Sequence, residues 1–132
     1  MNRVVHFEIQ ADEPERAAKF YREVFNWKIE KWPGSDMEYW MVMTAPKEST
    51  ELGINGGLLK RSAKMPPKEC GTNSFVCTMH VDNFDEIAKK IETAGGIVAM
   101  PKFALLGMAW QGYFIDTEGN TFGIHQPDEN AK

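Results

Sequence analysis

Two short stretches of the chain set chemically capable side chains at a regular spacing. In VVHFEI, His6 and Glu8 alternate with Val5, Phe7 and Ile9; in SFVCTMHV, Val76, Thr78 and His80 alternate with Phe75, Cys77, Met79 and Val81. Alternation with period two marks a strand with one apolar and one polar face. Imidazole, carboxylate and hydroxyl groups are therefore expected on the faces that the core does not use. Thr121 and His125 take the same side of the last strand, Thr121–Gln126. A carboxylate or an imidazole so placed can move a proton on a carbon next to a carbonyl. Glu8 and His125 are the candidate catalytic groups. The same side chains can also do no more than line a wet, hydrogen-bonding pocket.

The elements that must hold these groups follow a simple order. After the first strand, Asp12 stands where a helix N-cap belongs, with Pro14 in the first turn and Glu15 three residues on to close a capping box. Ala17, Phe20, Tyr21 and Val24 then recur at helical spacing. Trp27–Trp32, Glu38–Thr44 and Gly53–Leu59 read as three strands, the last weakened by glycines. The order repeats from Ser74: a strand to Val81, a helix capped by Asp82 and stopped at Gly95 and Gly96, a short strand Ile97–Met100 broken by Pro101, and the strands Ala109–Ile115 and Thr121–Gln126 around a turn at Asp116–Asn120. An offset of 70 aligns Asp12 with Asp82, Ala18 with Ala88, Lys19 with Lys89, Trp40 with Trp110 and Gly53 with Gly123. The expected organisation is one domain over 1–132, with module one at 1–61, a linker at 62–73, module two at 74–126, and a polar, frayed tail at 127–132.

Composition narrows the classes of function. The content of AVILMFWYC residues is 42%, ordinary for a globular chain, and no apolar run approaches the roughly 18 residues of a membrane span. A formal charge of −4 gives no basic footprint for nucleic acid. Lys60, Arg61 and Lys64 form one tight basic group, expected in a solvated loop. Cys70 and Cys77 lack the spacing of a zinc set and are expected as free thiols, Cys77 as a small core residue. With no basic-then-apolar leader at the start, a cytoplasmic location is expected.

The layout, together with HFEIQADEPERAAKFYREVFNW near the start and DTEGNTFGI near the end, resembles the vicinal oxygen chelate superfamily, which includes glyoxalase I, the bleomycin resistance proteins and the extradiol dioxygenases. Within it the wording is similar to small proteins related to lactoylglutathione lyase. The resemblance implies an α+β fold: two βαβββ modules forming a cupped eight-stranded mixed sheet, with helices on the convex side and a ligand cavity in the cup. Enzymes of this kind hold one divalent metal with His, Glu or Gln on the first and last strands of each module, as a Lewis acid on a developing enolate. Here His6 takes the first position, Val76 its counterpart, Gly123 the last-strand position and Gly53 the corresponding position of module one. One donor in four does not hold a cation against water. No metal or other cofactor is expected; if a metal is present, its ligands are His6, Glu8 and His125.

Two glycines in place of carboxylates are expected to clear volume for a ligand, in a pocket of His6, Glu8, Trp40, Gly53, Thr78, Trp110, Tyr113, Gly123 and His125. The sequence thus predicts a binding protein for a small aromatic or amphipathic molecule. The alternatives are a metal-dependent lyase or isomerase of the glyoxalase I type and a structural dimer with a vestigial cavity. A homodimer is expected, with neither nucleic acid nor membrane as partner.

Overall fold

The computed structural model describes residues 2–34, 36–66, 75–115 and 120–132. It contains β1 (Val4–Ala11), α1 (Pro14–Phe25), β2 (Lys28–Lys31), β3 (Tyr39–Met43), β4 (Gly56–Lys60), β5 (Val76–His80), α2 (Phe84–Thr93), β6 (Ile97–Leu105), β7 (Ala109–Ile115) and β8 (Thr121–Pro127). The expected α+β class and the twofold βαβββ order are what the chain adopts. It divides into two compact units, one of His6–Phe75 and one of Met1–Val5 with Val76–Lys132.

In the first unit the strands lie in the order β2-β3-β4-β1. β1 and β4 are parallel and the other neighbours antiparallel. Phe7, Ile9, Ala11, Trp40, Val42 and Leu58 turn to one side of these strands and pack with Ala18 of α1 and with Ile29. Leu58 and Val42 are wholly buried, each stabilising the unit by about 1.5–3 kcal/mol relative to an exposed position. Helix α1 starts differently from the expectation. Its N-cap is Glu13, with no side-chain cap, and Pro14 opens the first turn. Asp12 instead pairs with Arg61, whose Nη2 also donates to the Gln10 carbonyl, so Arg61 is tucked in rather than solvated. Glu15 is likewise drawn away, accepting from Trp40 Nε1 at 2.6 Å. The helix ends on Asn26 in the left-handed region, φ 57°, with its N–H on the Arg22 carbonyl.

In the second unit the order is β5-β8-β7-β6, with β5 and β8 parallel. Val81, Phe84, Phe114 and Ile124 form its core, with Met79, Ile87, Ile91 and Trp110 packed against it. The N-cap of α2 is Asn83, whose Oδ1 accepts from the Glu86 N–H at 3.1 Å, rather than Asp82. Gly95 takes φ 98°, and Gly96 N–H returns to Ile91, the stop read from the sequence. Pro101 does not break β6. Nothing pairs on the far side of β6 within this unit, so the missing N–H is tolerated, with register shifts between Val98 and Phe103.

The tail is not frayed. Asp128 N–H donates to Met108, Gly107 N–H donates to Ala131, and Ala131 is buried. Cys77 is half-buried with a free thiol. Cys70, most of the linker and the turn at residues 116–119 lie outside the described residues.

Candidate functional site

Each unit leaves one face of its strands away from its helix, and the chemically capable residues gather there. In the first unit the register sets Glu8 opposite Gly57 and Gly57 opposite Met41, with Tyr39 one pleat along, opposite Leu59. A Cβ built on Gly57 would run into the Tyr39 hydroxyl. The phenol thus occupies the space above the glycine. From there it donates to Glu8 Oε1 at 3.4 Å, while its oxygen lies 2.8 Å from His6 Nε2. With the phenol proton on Glu8, the oxygen accepts from His6 in its Nε2–H tautomer. Glu8 is 6% exposed. Burial, then the charge of Glu8 and its hydrogen bond, push the Tyr39 hydroxyl far above the ordinary range of a phenol. Tyr39 is therefore a neutral donor at every physiological pH.

The second unit repeats the geometry with other residues. Thr78, Gly123 and Tyr113 form one row across β5, β8 and β7; His80, His125 and Gln111 form the next. Above Gly123 the position of a Cβ is 2.6 Å from Thr78 Oγ1, 2.9 Å from Gln111 Nε2 and 3.1 Å from Tyr113 Cε1. Gln111 Oε1 lies 2.8 Å from His125 Nδ1 and accepts its proton. Thr78 is 2% exposed, and its Oγ1 has no hydrogen-bond partner among the described residues. Burial, and then the neighbouring His80, lower the pKa of His125. The Phe103 and Tyr113 rings stack beside this row, centroids 6.5 Å apart.

These rows correct the alignment of the halves. Glu8 answers to Thr78, Tyr39 to Gln111 and Gly57 to Gly123, spacings of 70, 72 and 66 residues. The counterpart of Gly123 is Gly57, not Gly53. Gly53 is exposed, ahead of β4, and lines a surface depression of about 380 Å³ with Lys47, Glu51 and Asn55. Trp40 and Trp110 are not pocket residues either. Trp40, 4% exposed, faces α1; Trp110 packs in the α2 core with its Nε1 on Asp128 Oδ2 at 3.0 Å. The glycines do not clear volume, because side chains of the adjacent strand lie over both. Tyr39 and Gln111 were missed in the sequence. Their signal was parity on β3 and β7, which needs the register to fix it.

Two βαβββ units with polar groups on the helix-free face define the class of protein. A family model for the Glyoxalase/Bleomycin resistance protein/Dioxygenase superfamily matches residues 3–124, and the chain belongs to that superfamily. Solved structures agree in fold. A hypothetical protein from Bacillus halodurans C-125 is 16% identical, with 99% of this chain and 98% of that one covered and a TM-score of 0.63. A superfamily member from Vibrio splendidus 12B01 is 15% identical, over 96% and 99%, at 0.62. A methylmalonyl-CoA epimerase in complex with methylmalonyl-CoA and NH4+ is 15% identical, over 100% and 99%, at 0.62. No curated protein matches the chain.

The superfamily's divalent metal is tested by the donors present. Of the four positions, His6, Gly57, Val76 and Gly123, only His6 can donate, and a phenol stands over Gly57. No group of three His, Cys, Asp or Glu side chains comes together among the described residues. The residues do not fit the family's metal.

Proposed function

We propose that this protein binds a small aromatic or amphipathic molecule on the helix-free face of the glyoxalase-type fold, without the family's metal. The observation that carries the reading is the replacement of metal donors by Gly57 under Tyr39 and Gly123 under Gln111. Flat and pliant apolar groups share those faces with the polar ones: Tyr39 edge-on to Trp32, Met41 half exposed, and Phe103 on Tyr113. Such a mixture suits a ligand with an apolar body and a polar end.

The test is elemental analysis of the native protein combined with a fluorescence titration against an aromatic panel. We expect far less than one nickel, zinc or manganese per chain. Because Trp27, Trp40 and Trp110 pack against the two cores, saturable quenching is expected to come from Trp32 and to vanish in Trp32→Phe. Near one metal per chain, lost in His6→Ala, would return the protein to the metal-dependent lyases and isomerases. Packed tryptophans also suit a structural protein with a vestigial cavity, which the absence of any saturable ligand would favour.

A metal-free enzyme is the second reading, favoured by the His6, Tyr39 and Glu8 hydrogen bonds, which could pass a proton to or from a carbon beside a carbonyl. Solvent deuterium entering such a substrate, and failing to enter in Glu8→Gln, would establish it. Phe20, Val24 and Phe25 are more than half exposed on α1, which supports a homodimer, to be checked by sedimentation. Among the described residues no helix is long and apolar enough to cross a membrane. A cytoplasmic location remains part of this proposal.

A further inference from the structure

Helix α1 buries one side against its strands and carries a band of aromatic residues on another. Phe20 and Val24, four residues apart, are neighbours on the helix surface, and both are more than half exposed. Tyr21 is the hub of the rings beside them. It meets Phe20 edge-on at 5.2 Å, stacks on Trp27 at 5.3 Å and on Phe25 at 6.1 Å, and meets Phe75 edge-on at 6.2 Å. Phe25 is more than half exposed and Phe75 42% exposed, so the band runs through Tyr21 from Phe20 to Phe75 and is open to solvent at both ends. Three half-exposed rings and a valine leave about 400 Å² of apolar surface uncovered, the size of the largest patch on an ordinary monomer. Its composition is that of a protein interface, in which aromatic side chains dominate.

The charges around Phe20 select the occupant. Arg16 lies four residues before it and Glu23 three after, so each neighbours Phe20 on the helix surface. Within the helix Arg16 pairs with Glu13 at 3.1 Å and Glu23 with Lys19 at 3.8 Å, and all four side chains are more than half exposed. Pairs so exposed hold little and exchange partners readily. A two-fold interface sets a patch against its own image. With a second α1 running antiparallel and Phe20 against Phe20, Arg16 of one copy comes level with Glu23 of the other to within one residue's rise, about 1.5 Å, and the symmetry makes that contact twice. The helix dipoles are then opposed as well. A parallel pairing would bring Arg16 level with Arg16 and Glu23 level with Glu23, like against like.

We propose that the aromatic band of α1 is the surface on which a second copy of this chain docks, with the two helices antiparallel, Phe20 at the two-fold axis and Arg16 paired with Glu23 of the other copy. This rests on the homodimer reading above and names its face. The two bands together cover about 800 Å² of apolar surface, and the charged rim brings the total to the low end of specific interfaces, so the dimer is reversible and micromolar. Because α1 packs on Phe7, Trp40 and Leu58, on the side of the strands away from Glu8 and Tyr39, the pairing leaves the helix-free face of this unit open to a ligand.

The test is sedimentation equilibrium of the full chain from micromolar to millimolar concentration at low ionic strength, where a reversible monomer–dimer equilibrium is expected. Phe20→Asp should weaken the dimer about a hundredfold, because it sets a carboxylate against its own image at the centre of the patch. Circular dichroism checks that the fold is kept, as substitution of a half-exposed residue allows. Arg16→Glu and Glu23→Arg should each weaken the dimer about fivefold. The variant carrying both exchanges should recover the native constant, since the pair re-forms with its signs reversed, a rescue that mere loss of packing would not give.

A dimer untouched by Phe20→Asp would overturn this face and leave the homodimer standing on another. Failure of the double exchange to recover the native constant rejects the antiparallel pairing. A chain that stays monomeric up to millimolar concentration rejects a second copy as the occupant, together with the homodimer reading, and leaves the band to a partner of another kind.

Discussion

Gly57 and Gly123 occupy the same place in the two halves, and each lies under a polar side chain from the adjacent strand, yet one arrangement is closed and the other is not. Over Gly57, Tyr39 reaches both His6 and Glu8, so the phenol hydrogen and oxygen are both used. Over Gly123, Gln111 spends its oxygen on His125, and the Thr78 hydroxyl finds no partner among the described residues. A phenol is rigid and has donor and acceptor on one atom, so a single residue can bridge two neighbours. An amide splits those roles between two atoms that point apart. The difference between a hydrogen-bond network that closes on itself and one that leaves a buried hydroxyl unpaired among the described residues therefore follows the residue type on the third strand of each half.

Adding side chains at the glycines should separate the halves most. At Gly57 an alanine Cβ meets the Tyr39 ring and hydroxyl, which are held by hydrogen bonds on both sides. Gly57→Ala is expected to destabilise the protein by about 3 kcal/mol, the upper end of overpacking costs. Gly123→Ala meets the ends of Thr78, which has no hydrogen bond to lose among the described residues, and Gln111, which is held by one hydrogen bond where Tyr39 has two, and should cost about 1 kcal/mol. Urea denaturation followed by circular dichroism measures both. Equal losses would show that the Tyr39 site is no more rigid than its counterpart.

Removing the hydroxyls should then change stability in opposite directions. Tyr39→Phe takes the donor from Glu8, 6% exposed, and the acceptor from His6, at a cost of about 1–3 kcal/mol. Thr78→Val removes a buried hydroxyl with no partner among the described residues and is expected to stabilise the ligand-free protein by about 1 kcal/mol. A loss in both variants would mean that Thr78 is satisfied in solution. The raised Tyr39 pKa adds a sign that can be checked. A phenol kept neutral in the fold contributes stability fully present below its ordinary value of 10.0, lost as the pH rises above it. Tyr39→Phe should flatten that alkaline fall.

How far the chain could be read without coordinates follows from the same residues. Alternation placed His6, Glu8 and Thr78 on the correct faces of β1 and β5, and Gly95 and Gly96 ended α2 where expected. Caps were less legible. Asp12 and Glu15 have the right spacing for a capping box, but Arg61 and Trp40 compete for them, and both arrive from distant strands. An ungapped offset of 70 brought Trp40 against Trp110 and Gly53 against Gly123. The pairing register shows those matches to be coincidental, since the spacing is 72 on the third strands and 66 on the fourth. A shift of two residues preserves the face but changes the level, and four residues move a position out of β4 altogether. Of the two glycines singled out, Gly123 lies on the helix-free face of β8 and Gly53 lies ahead of β4. What lay above Gly57 and Gly123 depended on Tyr39 and Gln111, whose reach across a strand no local pattern encodes.

The smallest effect concerns His125, and it bears directly on the open half of the comparison. Burial first and His80 second hold its imidazole below the ordinary 6.5. The groups facing it are His80 on β5 and Gln111 on β7, with Asp82 3.9 Å from His80. Because the folded state binds the proton less readily than the unfolded chain, the contribution to stability is present above pH 6.5 and lost as the pH falls through the folded value. His80→Ala should raise the His125 pKa modestly by removing a like charge, leaving the larger effect of burial in place. Protonation at Nε2 leaves Nδ1–H on Gln111 intact, so the side-chain NH2 signal of Gln111 should stay fixed while the His125 ring titrates. If that signal moves with the ring, the amide is turning over Gly123, and His125 does not hold it in place.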